Sequence, residues 1–246
     1  MRRSAGSRLR GWRSPVLGAV FILWPLCHGS PAQAQLGLSA SLDSDYRFRG
    51  LSLSDERPTL SVNLSYDDAS GAYAGASAIG VDTAHSGVRL LGSVTYLGYA
   101  RRGHGGLAWD VGLSNTNVTE YRRYKYTYDY TEAYAGLVGD HLAAHVYYSP
   151  NYRGDNYGAL YVDLDGAVRP AQQWRIFGHV GALTPLSGRG EVVDRRERYD
   201  FRAGVATQFK RLDLHLAWTL ATPAPAYPPE PDRARGAVVV GATYNF

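Results

Sequence analysis

Val238-Val239-Val240-Gly241-Ala242-Thr243-Tyr244-Asn245-Phe246 is the stretch from which the fold can be read. Val238, Val240, Ala242, Tyr244 and Phe246 share one face, and Val239, Gly241, Thr243 and Asn245 share the other. That is the period of a strand, not of a helix. Upstream, Leu212, Leu214, Leu216, Trp218 and Leu220 stand opposite Asp213, His215, Ala217 and Thr219. Trp174, Ile176, Gly178, Val180 and Ala182 alternate with Arg175, Phe177 and His179. Leu160, Val162 and Leu164 alternate with Tyr161, Asp163 and Asp165, and Trp109, Val111 and Leu113 with Asp110, Gly112 and Ser114.

Extended over the chain, the pattern predicts twelve strands, near residues 36–49, 58–66, 72–81, 88–100, 106–115, 129–138, 141–149, 157–168, 173–183, 199–208, 211–220 and 236–246. Those at 72–81 and 129–138 alternate poorly, because small residues blur which face is apolar. Most have the roughly 9–11 residues that a tilted strand needs to cross a bilayer. Every second connection is short (67–71, 101–105, 139–140, 169–172, 209–210). Those between are generally longer (50–57, 82–87, 116–128, 150–156, 184–198, 221–235). Short turns at one end and longer loops at the other describe an all-β, transmembrane, up-and-down antiparallel barrel with both termini on the short-turn side. A soluble β-sandwich would alternate too, but it has no need to order its loops so strictly. Aromatic residues also gather at strand ends, as in Tyr46/Phe48, Tyr96/Tyr99, Tyr147/Tyr148 and Tyr244/Phe246, where interface girdles are expected.

The first 34 residues read differently. Arg2, Arg3, Arg8, Arg10 and Arg13 form a basic start, an apolar stretch from Val16 to Cys27 comes next, and Ala32-Gln33-Ala34 offers the small residues a signal peptidase reads. Residues 1–34 are therefore expected to be a signal peptide cleaved before Gln35, leaving 35–246 as the barrel. The apolar stretch is too short to span a membrane, which takes about 20 residues. Of 26 basic and 22 acidic residues, 21 basic and all the acidic ones lie after residue 34. The net charge of +4 thus belongs to the leader, and a nucleic-acid partner loses its electrostatic basis. Cys27 and Met1 are the only Cys and Met, both in the leader, so disulfides, thiolate metal sites and a thiol nucleophile are excluded from the remainder.

Several strings resemble a known family. Ser44-Asp45-Tyr46-Arg47-Phe48-Arg49-Gly50-Leu51-Ser52-Leu53-Ser54 is similar to the opening motif of the TorF family of porins, proteobacterial outer-membrane proteins. Gly71-Ala72-Tyr73-Ala74-Gly75 with Val81-Asp82, Tyr130-Thr131-Glu132-Ala133-Tyr134-Ala135-Gly136, and Tyr147-Tyr148-Ser149-Pro150-Asn151-Tyr152 resemble later blocks, in the family's order. Residues 116–128 depart from its pattern. The resemblance implies a barrel in the outer membrane of a Gram-negative bacterium, with pore activity and with lipid and lipopolysaccharide around it. It also implies that Val240, Ala242, Tyr244 and Phe246 form the C-terminal signal read by the barrel-assembly machinery, after escort by periplasmic chaperones.

With apolar positions facing lipid, polar positions face inward, since a charge on the lipid face costs up to about 2–4 kcal/mol near the midplane. Asp43, Asp45, Arg47 and Arg49 of the first strand are then expected to line a pore, with Asp110, Glu132, Asp163, Arg175, Arg202 and Asp213. Asp165, Asp200, Arg89, Arg235, His145, His179 and His215 join them. Acids and bases nearly balance, so no one-signed selectivity ring is evident. The expected function is passive diffusion of small hydrophilic solutes or ions. The alternatives are a non-conducting structural or adhesive surface barrel, in which these charges pair and plug the lumen, and a lipid-modifying enzyme. No catalytic residue, cofactor site or metal site is expected: nucleophile-elbow, zinc-protease and P-loop motifs are absent. His141 and His145, about 13 Å apart along a strand, lie too far apart to share a metal. The run Tyr121-Arg122-Arg123-Tyr124-Lys125-Tyr126 suits a surface loop touching lipopolysaccharide or carbohydrate, or simply a solvated one.

Overall fold

The computed structural model describes residues 35–83, 87–103, 106–121, 125–154, 157–188, 197–222 and 236–246. The expected signal peptide, Arg235 and residues 122–124 of the Tyr/Arg/Lys run lie outside these. The strands are β1 (Gln35–Asp43), two short strands β2 (Arg47–Phe48) and β3 (Leu51–Ser52), β4 (Thr59–Asp67), β5 (Ala72–Thr83), β6 (Gly87–Arg102), β7 (Ala108–Tyr121) and β8 (Lys125–Val138). They continue with β9 (Leu142–Ser149), a 3-10 turn at Tyr152–Gly154, β10 (Tyr157–Ala171), β11 (Trp174–Gly188), β12 (Arg198–Phe209), β13 (Leu212–Ala221) and β14 (Ala237–Asn245). β1 and β4 to β14 form one closed antiparallel barrel of twelve strands, each paired with its chain neighbours. β1 seals the cylinder, pairing with β4 from Gln35↔Asp67 to Asp43↔Thr59 and with β14 from Ser39↔Asn245 to Asp43↔Gly241.

The alternation fixes which face is which. Leu60, Val62 and Leu64 of β4, Leu214, Leu216 and Trp218 of β13, and Val238, Val240 and Tyr244 of β14 are exposed on the outer wall, while Ser61, Asp213, His215 and Thr243 are buried inside. Leaving a side chain such as Leu or Phe in water forgoes about 1.5–3 kcal/mol each, so an outer wall of this kind is stable in hydrocarbon.

Four expectations need correction. β1 ends at Asp43, so Asp45, Arg47 and Arg49 do not belong to the first strand. The backbone turns at this point, with Arg49 and Gly50 both at positive φ. The connection predicted at 116–128 is largely strand: β7 and β8 pair out to Tyr121↔Lys125, helped by the β-branched and aromatic residues Val118, Thr119, Thr127 and Tyr128. The 82–87 connection is likewise shorter, since β5 and β6 pair out to Thr83↔Gly87. Finally, Tyr46, Tyr96 and Tyr147 are buried in the interior rather than placed in an outer girdle; Tyr148, Tyr244 and Phe246 do face outward.

The two blurred strands turn out to place small residues outside and aromatic ones inside. β5 exposes Ala72, Ala74, Ala76 and Ala78 and buries Tyr73, Ile79 and Val81; β8 exposes Ala133 and Ala135 and buries Tyr130, Glu132 and Tyr134. Four inward tyrosine rings lie over a glycine of the adjacent strand: Tyr73 over Gly98, Tyr96 over Gly75, Tyr134 over Gly112 and Tyr161 over Gly181. A side chain at any of these glycines would collide with the ring, so the pairs pave the inner wall with flat tyrosines.

Candidate functional site

After Asp43 the chain folds into the lumen as a small hairpin. Ser44 is tied to β14, its amide donating to the Val240 carbonyl at 2.9 Å and its hydroxyl accepting from the Val240 amide at 3.1 Å. Asp45 organises the rest of the hairpin. One carboxylate oxygen accepts from the Arg47 Nε at 2.6 Å, and the other accepts from the Ser52 and Ser54 hydroxyls at 2.6 and 2.8 Å. The Ser54 hydroxyl in turn accepts from the Tyr46 amide at 2.9 Å, and Arg47 Nη1 donates to the Gly50 carbonyl at 3.0 Å. β2 and β3 pair as Arg47↔Ser52 and Phe48↔Leu51, leaving Arg49-Gly50 as a two-residue turn with φ of 48° and 73°. Positive φ at both turn positions matches the twist of a tight hairpin. Glycine adopts it freely; arginine does so at a cost of about 1–2 kcal/mol.

The hairpin spans the barrel. Tyr46 and Leu53, with Phe48 at the edge, pack on Ile79 and Val81 of β5, Leu91 and Val94 of β6 and Val118 of β7. Those wall residues are apolar yet face inward; Val81 is 0 % exposed and Leu91 and Val118 1 %. Leu91 is turned in by a register shift, where Ile79↔Gly92 gives way to Gly80↔Leu90. At the turn, Gly50 abuts β12 and β13 so closely that a Cβ there would lie 2.6 Å from the Ala221 Cβ and 3.0 Å from the Leu220 carbonyl oxygen.

Arg49 reaches a third stretch of wall. Its Nη2 donates to both Glu132 oxygens, at 2.9 and 2.8 Å, and its guanidinium carbon lies 3.9 Å from the centroid of the Tyr161 ring. Burial works against the charge, but the Glu132 carboxylate more than compensates and raises the Arg49 pKa well above the ordinary arginine value.

Below the hairpin, toward the short-turn end, the wall carries paired charges. His145 stands between Asp110 (3.9 Å) and Asp163 (3.6 Å), and His179 contacts Asp165 and Asp200 at 2.9 Å each. His215 meets Asp43 at 3.1 Å and Arg175 meets Asp213 at 3.5 Å. Tyr73 joins Asp110 at 3.1 Å and Tyr134 at 2.7 Å. Asp163, Asp165 and His179 each bring one potential metal-ligand atom within 4.8 Å of the others, but both ring nitrogens of His179 are already engaged by carboxylates.

The residues singled out in the sequence thus fall into two groups. Asp43, Asp110, Glu132, Asp163, Arg175, Arg202 and Asp213 sit on inward-facing strand positions, whereas Asp45, Arg47 and Arg49 build the hairpin. Arg89 is exposed. Val240, Ala242, Tyr244 and Phe246 lie along the outer face of the last strand, with Phe246 65 % exposed. Sequence reasoning missed the tyrosine paving and the residues under the hairpin. Tyr130 and Tyr134 share a face with Glu132, and Tyr161 with Asp163, which was the available signal for the tyrosines.

Above the hairpin, on the side of the longer loops, a vestibule with a cavity of about 80 Å³ remains, floored by Arg49, Leu51 and Leu53 and walled by Tyr128, Tyr130 and Arg198, among others.

A closed twelve-stranded barrel with an apolar outer wall, a charged inner wall and an infolded hairpin defines an up-and-down transmembrane β-barrel. The chain belongs to the family of bacterial proteins of unknown function termed Gcw_chp, whose sequence model matches residues 29–228. No curated protein matches it. Among solved structures it is similar to the NanC porin, with a TM-score of 0.57 at 8 % identity, covering 86 % of this chain and 100 % of that one. It is also similar to the KdgM porin, with a TM-score of 0.53 at 10 % identity, covering 85 % of this chain and 99 % of that one. At such identities the likeness is one of fold.

Proposed function

We propose that the protein is an outer-membrane channel through which small hydrophilic solutes or ions diffuse passively, and that the hairpin of residues 44–54 sets the width and charge of the passage. The observation that carries this reading is the hairpin: it crosses the lumen, seated on one side through Tyr46, Phe48 and Leu53, and holds the Arg49 guanidinium against Glu132 on another stretch of wall. Eight strands leave an interior filled by side chains and 16–18 leave a wide channel, so a twelve-stranded barrel has room for a passage that one inserted hairpin narrows. The inward-facing Asp43, Asp110, Glu132, Asp163, Arg175, Arg202 and Asp213 line that passage, with Asp45, Arg47 and Arg49 at its constriction. Diffusion needs no covalent step, and the reading assigns no catalytic residue.

The narrower kinship with the TorF porins belongs to the same proposal and is supported by the Ser44–Ser54 motif, whose Asp45, Arg47, Gly50, Ser52 and Ser54 are the residues that shape the hairpin. So do export by residues 1–34, insertion through the C-terminal signal, and residence in a Gram-negative outer membrane among lipid and lipopolysaccharide. N-terminal sequencing of the exported protein is expected to begin at Gln35; a protein retaining residues 1–34 would contradict the export route. Purified barrel reconstituted in planar bilayers is expected to give discrete ohmic current steps, and silence from correctly folded protein would overturn the channel.

A further inference from the structure

Resting on the channel reading, we propose that the vestibule above the hairpin is a binding site for small organic anions, its guanidinium groups holding a carboxylate or phosphate and its rings and aliphatic side chains holding a compact, flat body. Three arginines converge there on Tyr152. The Arg49 guanidinium carbon lies 5.4 Å and that of Arg198 5.9 Å from the centroid of the Tyr152 ring, and Arg153 is its chain neighbour, stacked 3.8 Å over Tyr128. Among the described residues, Glu132 pairs with Arg49, and Asp200 contacts His179 and Tyr161. Among the described residues that line the cavity, three are arginines and one, Asp200, is an acid.

The Tyr152 phenol registers that field. Burial pushes its pKa up, yet Arg49, Arg198 and Arg153 together bring it below the ordinary tyrosine value. Backbone geometry points the same way. Arg49 and Arg153 both sit at positive φ, 48° and 59°, where glycine or asparagine is the low-cost choice. Strain kept at two charged residues facing one cavity marks a site rather than a linker. Guanidinium forks match carboxylate and phosphate oxygens, and the half-buried Phe48 and Leu51 give the cavity an apolar surface for a ring.

The test uses the full barrel in planar bilayers with benzoate, phenyl phosphate and benzyl alcohol, which share a ring and differ in charge. Benzoate and phenyl phosphate are expected to interrupt the current when added on the long-loop side, and benzyl alcohol is not. Arg198→Gln is expected to raise the half-blocking benzoate concentration about tenfold. Current steps that persist without charge-dependent block would overturn the site and leave the channel standing. Were there no steps at all, calorimetric titration of the folded barrel with benzoate still decides: binding weakened by Arg198→Gln upholds the site, and absent or unaltered binding overturns it.

Discussion

Asp45 and Arg49 divide the work within the hairpin. Asp45 accepts from Arg47, Ser52 and Ser54 in a buried setting, so it fixes the shape of the loop. Removing one partner of such a buried pair costs about 3–5 kcal/mol, because the other charge is stranded. Asp45→Ala is therefore expected to loosen the hairpin while the wall stays intact, seen as noisier and larger current steps; unchanged steps would place the organising role elsewhere. Arg49 instead carries the charge across the bore to Glu132. Arg49→Ser is expected to shift the reversal potential in a salt gradient toward cations. Pairing it with Glu132→Gln should cancel most of that shift, since the carboxylate left behind causes it. A reversal potential indifferent to both changes would remove this pair from the conducting path. Gly50 answers a different demand, with φ of 73° and neighbours that leave no room for a Cβ. Gly50→Val is expected to unseat the turn from β12 and β13, with a rise in conductance as the readout.

The strands were legible because their outer faces report directly on the solvent they meet. In β13 and β14 leucine, valine and aromatic residues recur at every second position, and both occur where the pattern places them. β5 and β8 were harder, because alanines hold much of their lipid face while Tyr73, Ile79 and Val81 of β5 and Tyr130 and Tyr134 of β8 face inward, which inverts the usual apolar-out, polar-in contrast. The hairpin was hidden for a related reason. Asp43, Asp45, Arg47 and Arg49 keep strand alternation through the point where the chain leaves the wall, so periodicity alone runs β1 on to residue 49. Local chemistry marks the break: Arg49-Gly50 supplies the turn, and Ser52 and Ser54 supply donors for Asp45. The inward Ile79, Val81, Leu91 and Val118 had no sequence explanation, since their cover is contributed by a distant segment. At this scale the ring-over-glycine pairs are also testable. Gly112→Ala would drive a methyl group into Tyr134 and is expected to slow folding and lower the temperature at which the barrel loses its heat-resistant gel mobility. The double variant Gly112→Ala/Tyr134→Ala should recover part of the loss, and an equally damaged double variant would contradict the pairing.

For the molecule as a whole, the barrel and the hairpin are separable in construction. The wall closes through β1 pairing with β4 and β14, and none of those pairs includes residues 45–54. The hairpin adds a waist to a cylinder that is complete without it, dividing the lumen into an arginine-bearing vestibule and a lower half where histidines and carboxylates alternate. Shortening that segment to a flexible Gly-Ser connection from Ser44 to Asp55 should leave the sheet registered and widen the narrowest point. The decisive measurement is single-channel conductance of this shortened barrel beside the full chain, in the same bilayer and salt. Steps are expected from both, severalfold larger without the hairpin; equal steps, or none from either folded protein, would contradict a channel whose waist is the hairpin.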